Sequence, residues 1–125
     1  MSSEAWAFQP LYGPSNGTAQ GSLLPSTTVT ASATVAASAR FSGGPNGGGC
    51  TAIQIANTTT AWAFVNFGNL DVGAVTAATV AASYPVAPGA MAVVRVATEV
   101  NAASVILAAA STGGTSVIFT RGVGI

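Results

Sequence analysis

Apolar and polar positions alternate along this chain in several short runs, and Gly, Pro, Asn and Ser punctuate the gaps between them. In Thr51-Ala52-Ile53-Gln54-Ile55-Ala56 the branched apolar residues fall at every second position. In Ala61-Trp62-Ala63-Phe64-Val65-Asn66-Phe67, Trp62 and Phe64 share one face while Val65 and Phe67 share the other. A spacing of two is that of a β-strand, whose side chains point alternately to opposite faces. The short linker Asn57-Thr58-Thr59-Thr60 predicts that the two runs form an antiparallel hairpin. Its second strand should be central, because it is apolar on both faces.

Other strands are predicted on the same grounds. Ser26 to Ala37 is a Thr/Val/Ala alternation rich in β-branched residues, and it predicts one or two strands ending near Phe41. Further strands are expected at Ala90 to Ala97, Ala103 to Ala109 and Thr115 to Thr120, with Ser111-Thr112-Gly113-Gly114 as the last hairpin turn before a Gly-spaced tail. Pro88-Gly89 has the chemistry of a type II turn centre: Pro sets φ at the first position and Gly accepts positive φ at the second. The run Ser42 to Gly49, with five Gly and one Pro, predicts an exposed loop. Gly68 to Pro88 reads as a long connection with at most one short element, since Ala74 to Ala82 suits a helix by its Ala and a strand by its Val and Thr. Six to eight short strands joined by turns describe an all-β, antiparallel β-sandwich. Periodicity leaves a jelly roll and an immunoglobulin-like strand order both open.

Residues 1–22 show neither period. Pro10, Gly13, Pro14, Gly17 and Gly21 break regular elements, while Trp6, Phe8, Leu11 and Tyr12 are costly to leave in water. The segment is therefore expected to be an extended N-terminal arm that docks through those four residues, with the sandwich domain spanning 23–125.

Composition narrows the function. The 125 residues include three Arg, three acidic residues, no Lys and no His, so charged groups make up 5% of the chain against about 25% in an average soluble protein. Half of the chain is hydrophobic, but 26 of those residues are Ala, and Val, Ile, Leu and Phe together number only 29. Such a core is thin, and burial in an oligomer would supplement it. Arg40, Arg95 and Arg121 are far apart and unsupported by Lys, which argues against nucleic acid as a partner. The stretch Val72 to Val94 is interrupted by Pro85, Pro88 and Gly89, which argues against a membrane-spanning helix. The N-terminus has no basic region ahead of an apolar one, so no secretory signal is expected.

Candidate chemistry is sparse. Cys50 is the single cysteine, which excludes an internal disulfide and a cysteine-based metal site, and no His or Lys is present to activate it. Abundant Ser and Thr lack the usual base for a hydroxyl nucleophile. Asp71 and Glu99 are the one carboxylate pair of the glycosidase kind; otherwise they are solvated turn residues or partners for Arg95 and Arg121. Metal ligands and a phosphate-binding glycine loop are likewise missing, so neither enzymatic activity nor a cofactor is expected. Trp62, Phe64, Phe67 and Phe119, at strand periodicity, are expected in the core.

The order of a flexible N-terminal segment, a Thr/Ala/Val strand, Ala52-Ile53-Gln54-Ile55-Ala56-Asn57, Ala61-Trp62-Ala63-Phe64-Val65-Asn66-Phe67-Gly68, Tyr84-Pro85-Val86-Ala87-Pro88-Gly89 and a Gly-x-Gly tail resembles small head proteins of tailed bacteriophages. In particular it is similar to their capsid cement, or decoration, proteins. That resemblance covers about residues 26–125 and implies a compact sandwich, often of jelly-roll type. It implies a non-enzymatic virion protein, made in the host cytoplasm, that sits on the outer capsid and staples neighbouring subunits of the major capsid protein, as a homo-oligomer such as a dimer or trimer. A carbohydrate- or receptor-binding module of a phage tail fibre or spike is the alternative, in which exposed aromatic rings stack on sugars.

Overall fold

The computed structural model describes residues 8–10, 26–41, 51–73 and 75–123. Nine strands lie within them: β1 (Gln9–Pro10), β2 (Ser26–Thr30), β3 (Ala37–Arg40), β4 (Ala52–Asn57), β5 (Ala63–Gly68), β6 (Tyr84–Val86), β7 (Met91–Arg95), β8 (Ala102–Leu107) and β9 (Ser116–Val123). All strand pairs are antiparallel, and no helix occurs among the described residues. One sheet runs β1-β9-β4-β7, with β2 continuing along the β1 side of β9, and the second runs β3-β8-β5-β6. Their inner faces enclose the core, so the chain is a β-sandwich.

The pairing is nested. β5 pairs with β6, β4 with β7, β3 with β8 and β2 with β9, as in one long hairpin whose two arms have been rolled up. Rolling brings β4 beside β9 and β5 beside β8. Only the β5–β6 connection stays within a sheet; every other link from β2 onward crosses from one sheet to the other.

This corrects two sequence expectations. β4 and β5 do not form a hairpin, and neither do β8 and β9, because the members of each pair lie in opposite sheets. A four-residue linker serves a hairpin or a crossing equally well, and the side-chain pattern specifies inside or outside but not which sheet. β5 is central, as its two apolar faces predict, between β8 and β6. The 87–90 turn is also as expected: the Ala90 N–H donates to the Ala87 carbonyl at 3.1 Å, and Gly89 has φ of 70°.

Inward positions follow the alternation. Ile53 and Ile55 of β4, Ala63 and Val65 of β5, Val105 and Leu107 of β8, and Val117 and Phe119 of β9 are buried. Phe41, Phe67 and Phe119 form an aromatic cluster with ring centroids 5.7 to 6.4 Å apart, within the range where tilted and edge-on contacts are favourable. Trp62 and Phe64 both depart from the expected core placement: Phe64 is half-buried on the outer face, and Trp62 is further out. It is 48% exposed, because alternation puts it on the side of Phe64 and Asn66, away from the opposing sheet.

β9 extends to Val123, beyond the expected end at Thr120, and the reason is Gly122. Gln9 and Pro10 pair with Val123 and Gly122, and the missing N–H of Pro10 is tolerated at a sheet edge. A Cβ at position 122 would meet the Phe8 ring at 2.5 Å and collide with the Gln9 carbonyl. Gly122→Ala should therefore pry β1 away while sparing the sandwich. Hydrogen exchange at residues 9 and 123 should speed by about tenfold or more, with β4 and β8 unchanged. Unaltered exchange at Val123 would show that the neighbours yield without loss of pairing.

Candidate functional site

The outer face of the β3-β8-β5-β6 sheet carries a strip of large apolar side chains. Register places Phe64 of β5 between Pro85 of β6 and Ile106 of β8, and all three project outward. Trp62, two residues before Phe64 and on the same side, extends the strip along the strand direction, with its carbonyl accepting the Ala108 N–H at 2.9 Å. Trp62 and Pro85 are exposed, whereas Phe64 and Ile106 are half-buried. Phe64 stands on the central strand β5 with a ladder on either side, and Trp62 directly precedes that strand, tied to Ala108 through its carbonyl.

The rest of this face is covered by the chain itself. The long 69–83 connection contains no helix or strand among its described residues, as the sequence suggests, and it crosses the sheet beside Asn66 and Ser104. Asn66 Nδ2 donates to the carbonyls of Thr76 (3.2 Å) and Ala77 (3.3 Å), and Ser104 Oγ accepts the Ala78 N–H (3.0 Å). Ala78 is buried, and Gly68 leaves room for Val75, whose side chain lies 3.2 Å from where a Cβ at 68 would stand. The polar residues of the outer face thus fasten the connection and leave the apolar ones at the Trp62 end uncovered by those contacts.

The carboxylates lie at the other end of β5. Asp71 Oδ1 meets Arg40 Nη2 at 3.1 Å, and Asp71 Oδ2 accepts from Asn101 Nδ2 at 2.9 Å. Asn101 Oδ1 accepts the Leu70 N–H, and Asn69 Oδ1 accepts the Asp71 N–H at 2.8 Å. Asp71 therefore pairs with Arg40, not with Arg95 or Arg121; one of its oxygens meets that guanidinium and the other ties the 69–71 turn to Asn101. Glu99 is exposed within the 97–100 turn. Arg121 is a larger departure: it projects inward opposite Ile53 and is 1% exposed. No three His, Cys, Asp or Glu cluster among the described residues in a way that would hold a metal ion, and no helix there is long and apolar enough to cross a membrane.

Of the four expected arm anchors, Trp6, Leu11 and Tyr12 lie outside the described residues, as do the 42–49 loop and Cys50. Phe8 is described, and its ring rests on Gly122 of its own domain.

Sequence reasoning missed Asn57, reading it as mere linker. It is buried at 1% exposure, and its amide donates to the carbonyls of Ala61 (2.9 Å), Val86 (3.0 Å) and Ala87 (3.2 Å). Its Oδ1 accepts from the Thr59 N–H (3.0 Å) and the Thr59 hydroxyl (2.7 Å). Asn57 thereby joins the β4–β5 crossing to the β6–β7 turn at the foot of the strip and fixes where Trp62 emerges. An Asn closing an alternating strand before a Thr run was the only available signal.

Comparison of the chain with protein-family profiles, with curated proteins and with solved structures gives no match in any of the three. The fold and this surface define an all-β sandwich with an apolar strip on a sheet face and its polar side chains turned to internal fastening.

Proposed function

We propose that the chain is a structural attachment protein of the capsid-cement kind: it binds the outer surface of a phage head and staples neighbouring major capsid subunits, without catalysis. The observation that carries this reading is the strip of Trp62, Phe64, Pro85 and Ile106 on a surface with very few charges. Protein interfaces draw their energy from aromatic anchors in desolvated patches, and charged residues are depleted at their centres. The nested pairing of eight strands supports a jelly-roll type of sandwich, an architecture that recurs in viral capsid domains. Fold alone does not assign function, so the strip carries the argument. The sugar-binding alternative needs free polar groups beside the rings, whereas Asn66 is engaged with the covering connection and Asp71 with Arg40 and Asn101.

The test is cosedimentation of the purified chain with heads of the phage that encodes it. Trp62→Ala should retain the β-type circular dichroism spectrum, since the side chain is about half exposed, yet bind at least tenfold more weakly, on the order of 1.4 kcal/mol or more. Deleting residues 1–7 removes Trp6 and leaves β1 in place, so it measures what that anchor adds. With so few charges at stake, attachment should change by less than about threefold between 0.05 and 0.5 M salt. Full binding by the Trp62 variant, or steep loss with salt, would sink the proposal; retention on immobilised glycans but not on heads would favour the alternative.

A further inference from the structure

The two sheets end differently on the side where β6 and β7 lie. In β6, register with β5 turns the backbones of Tyr84 and Val86 toward β5 and that of Pro85 toward solvent. Proline has no N–H to offer there, and β6 is only three residues long, so this edge is blunted in the way native sheets avoid edge-to-edge pairing.

The edge at β7 is not blunted. The Asn57 N–H donates to the Ala90 carbonyl, and the Val96 N–H donates to that of Thr51, both at 3.0 Å. With these ladder positions, alternation directs the backbones of Ala92 and Val94 toward β4 and those of Met91, Val93 and Arg95 away from it. Among the described residues nothing hydrogen-bonds the outward N–H and C=O of Met91 and Val93. Met91 is 61% exposed, and β7 contains no proline or glycine and a single charge, Arg95, at its end.

We propose that β7 is a self-pairing edge through which two copies of the chain form an antiparallel, two-fold dimer centred on Val93. An exposed row of backbone donors and acceptors fits an extended strand, and an isologous dimer supplies one from the same patch on the partner. Centring on Val93 makes Val93 and Val93 of the second copy a hydrogen-bonded pair that exchanges two N–H···O bonds. Charge distribution selects the same register. Met91 of each copy then lies across from Arg95 of the other, so the two guanidinium groups are kept apart, and the chain's zero net charge adds no general repulsion. The outer-face rows Ile118–Ala56–Met91 and Thr120–Gln54–Val93 continue across the two-fold, so the two five-stranded sheets become one. This inference does not depend on the capsid reading.

The experiment is sedimentation equilibrium of the full chain from about 1 to 100 μM, expected to give twice the chain mass at the upper end. Val93→Pro removes an N–H that the β4 ladder does not use, so it should yield a folded monomer with at least tenfold weaker association. As a second measurement, Val93→Cys in a Cys50→Ser background should form a disulfide-linked dimer on mild oxidation, because hydrogen-bonded antiparallel pairs hold Cα atoms about 5.5 Å apart, within disulfide range. Arg95→Cys in the same background should not cross-link to itself. A monomer at 100 μM overturns the proposal, as does a dimer in which Val93→Cys fails to cross-link.

Discussion

Asn57→Asp should be among the most damaging single-atom changes in this protein, lowering stability by about 4 kcal/mol at neutral pH. The replacement keeps the shape and the acceptor that serves Thr59, but it sets a carboxylate oxygen against the three carbonyls of Ala61, Val86 and Ala87. Three buried acceptors lose their donor, and a charge is placed where the group is 1% exposed. For a domain of this size that corresponds to a melting temperature lower by roughly 12–20 °C. The defect should also depend on pH. Burial among carbonyls raises the folded-state pKa of the new carboxyl above its unfolded value of about 3.9. Below that value both states are protonated and the charge penalty is absent; as pH rises through it, the unfolded state ionises first and stability falls. Thermal melts at pH 4 and pH 8, each referenced to the parent chain at the same pH, check this. A deficit below about 1 kcal/mol at pH 8, or one that grows on acidification, would contradict the role given to Asn57.

Phe119→Ala should cost about 4 kcal/mol, within the usual range for removing a buried aromatic ring. Phe119 is fully buried on β9, opposite Ile55 of β4 and Thr27 of β2, and contacts both other rings of the cluster, at 5.7 Å from Phe41 and 6.1 Å from Phe67. With so many Ala in the core, few neighbours are long enough to close the cavity, so relaxation recovers little. Phe119→Leu retains most of the volume and should cost only about 1–1.5 kcal/mol. Urea unfolding of the two variants gives the comparison. If the alanine variant lost less than about 2 kcal/mol, the centre of the sandwich would lie elsewhere.

The two predictions concern different kinds of information in the chain. Phe119 was legible as core from its place in Val117-Ile118-Phe119, because period-two alternation states locally which side chains share a face. The same logic located most of the strands, made β5 central and recognised the Pro88-Gly89 turn, all of which depend on residues adjacent in sequence. Trp62 shows its limit. Both faces of Ala61 to Phe67 are apolar, so alternation separated Trp62 and Phe64 from Val65 and Phe67 without saying which pair would be buried. The opposing β1-β9-β4-β7 sheet packs over Val65 and Phe67, and the exposed strip is what remains.

By itself, then, the amino-acid sequence determined an all-β chain, the positions of most of its strands and of the Pro88-Gly89 turn, and a chain with very few charges. Each follows from local stereochemistry or from composition. The tertiary structure alone decided that β4 and β5 part into opposite sheets, that β2 pairs with β9 from the far end of the chain, and that Asn57 and Arg121 are interior. Strand pairing is chosen by the burial achieved when distant segments meet, and a two-residue period is equally satisfied by many partners. A polar side chain such as Asn57 becomes an internal brace only when three carbonyls from two separate turns converge on it, and no local pattern encodes that convergence.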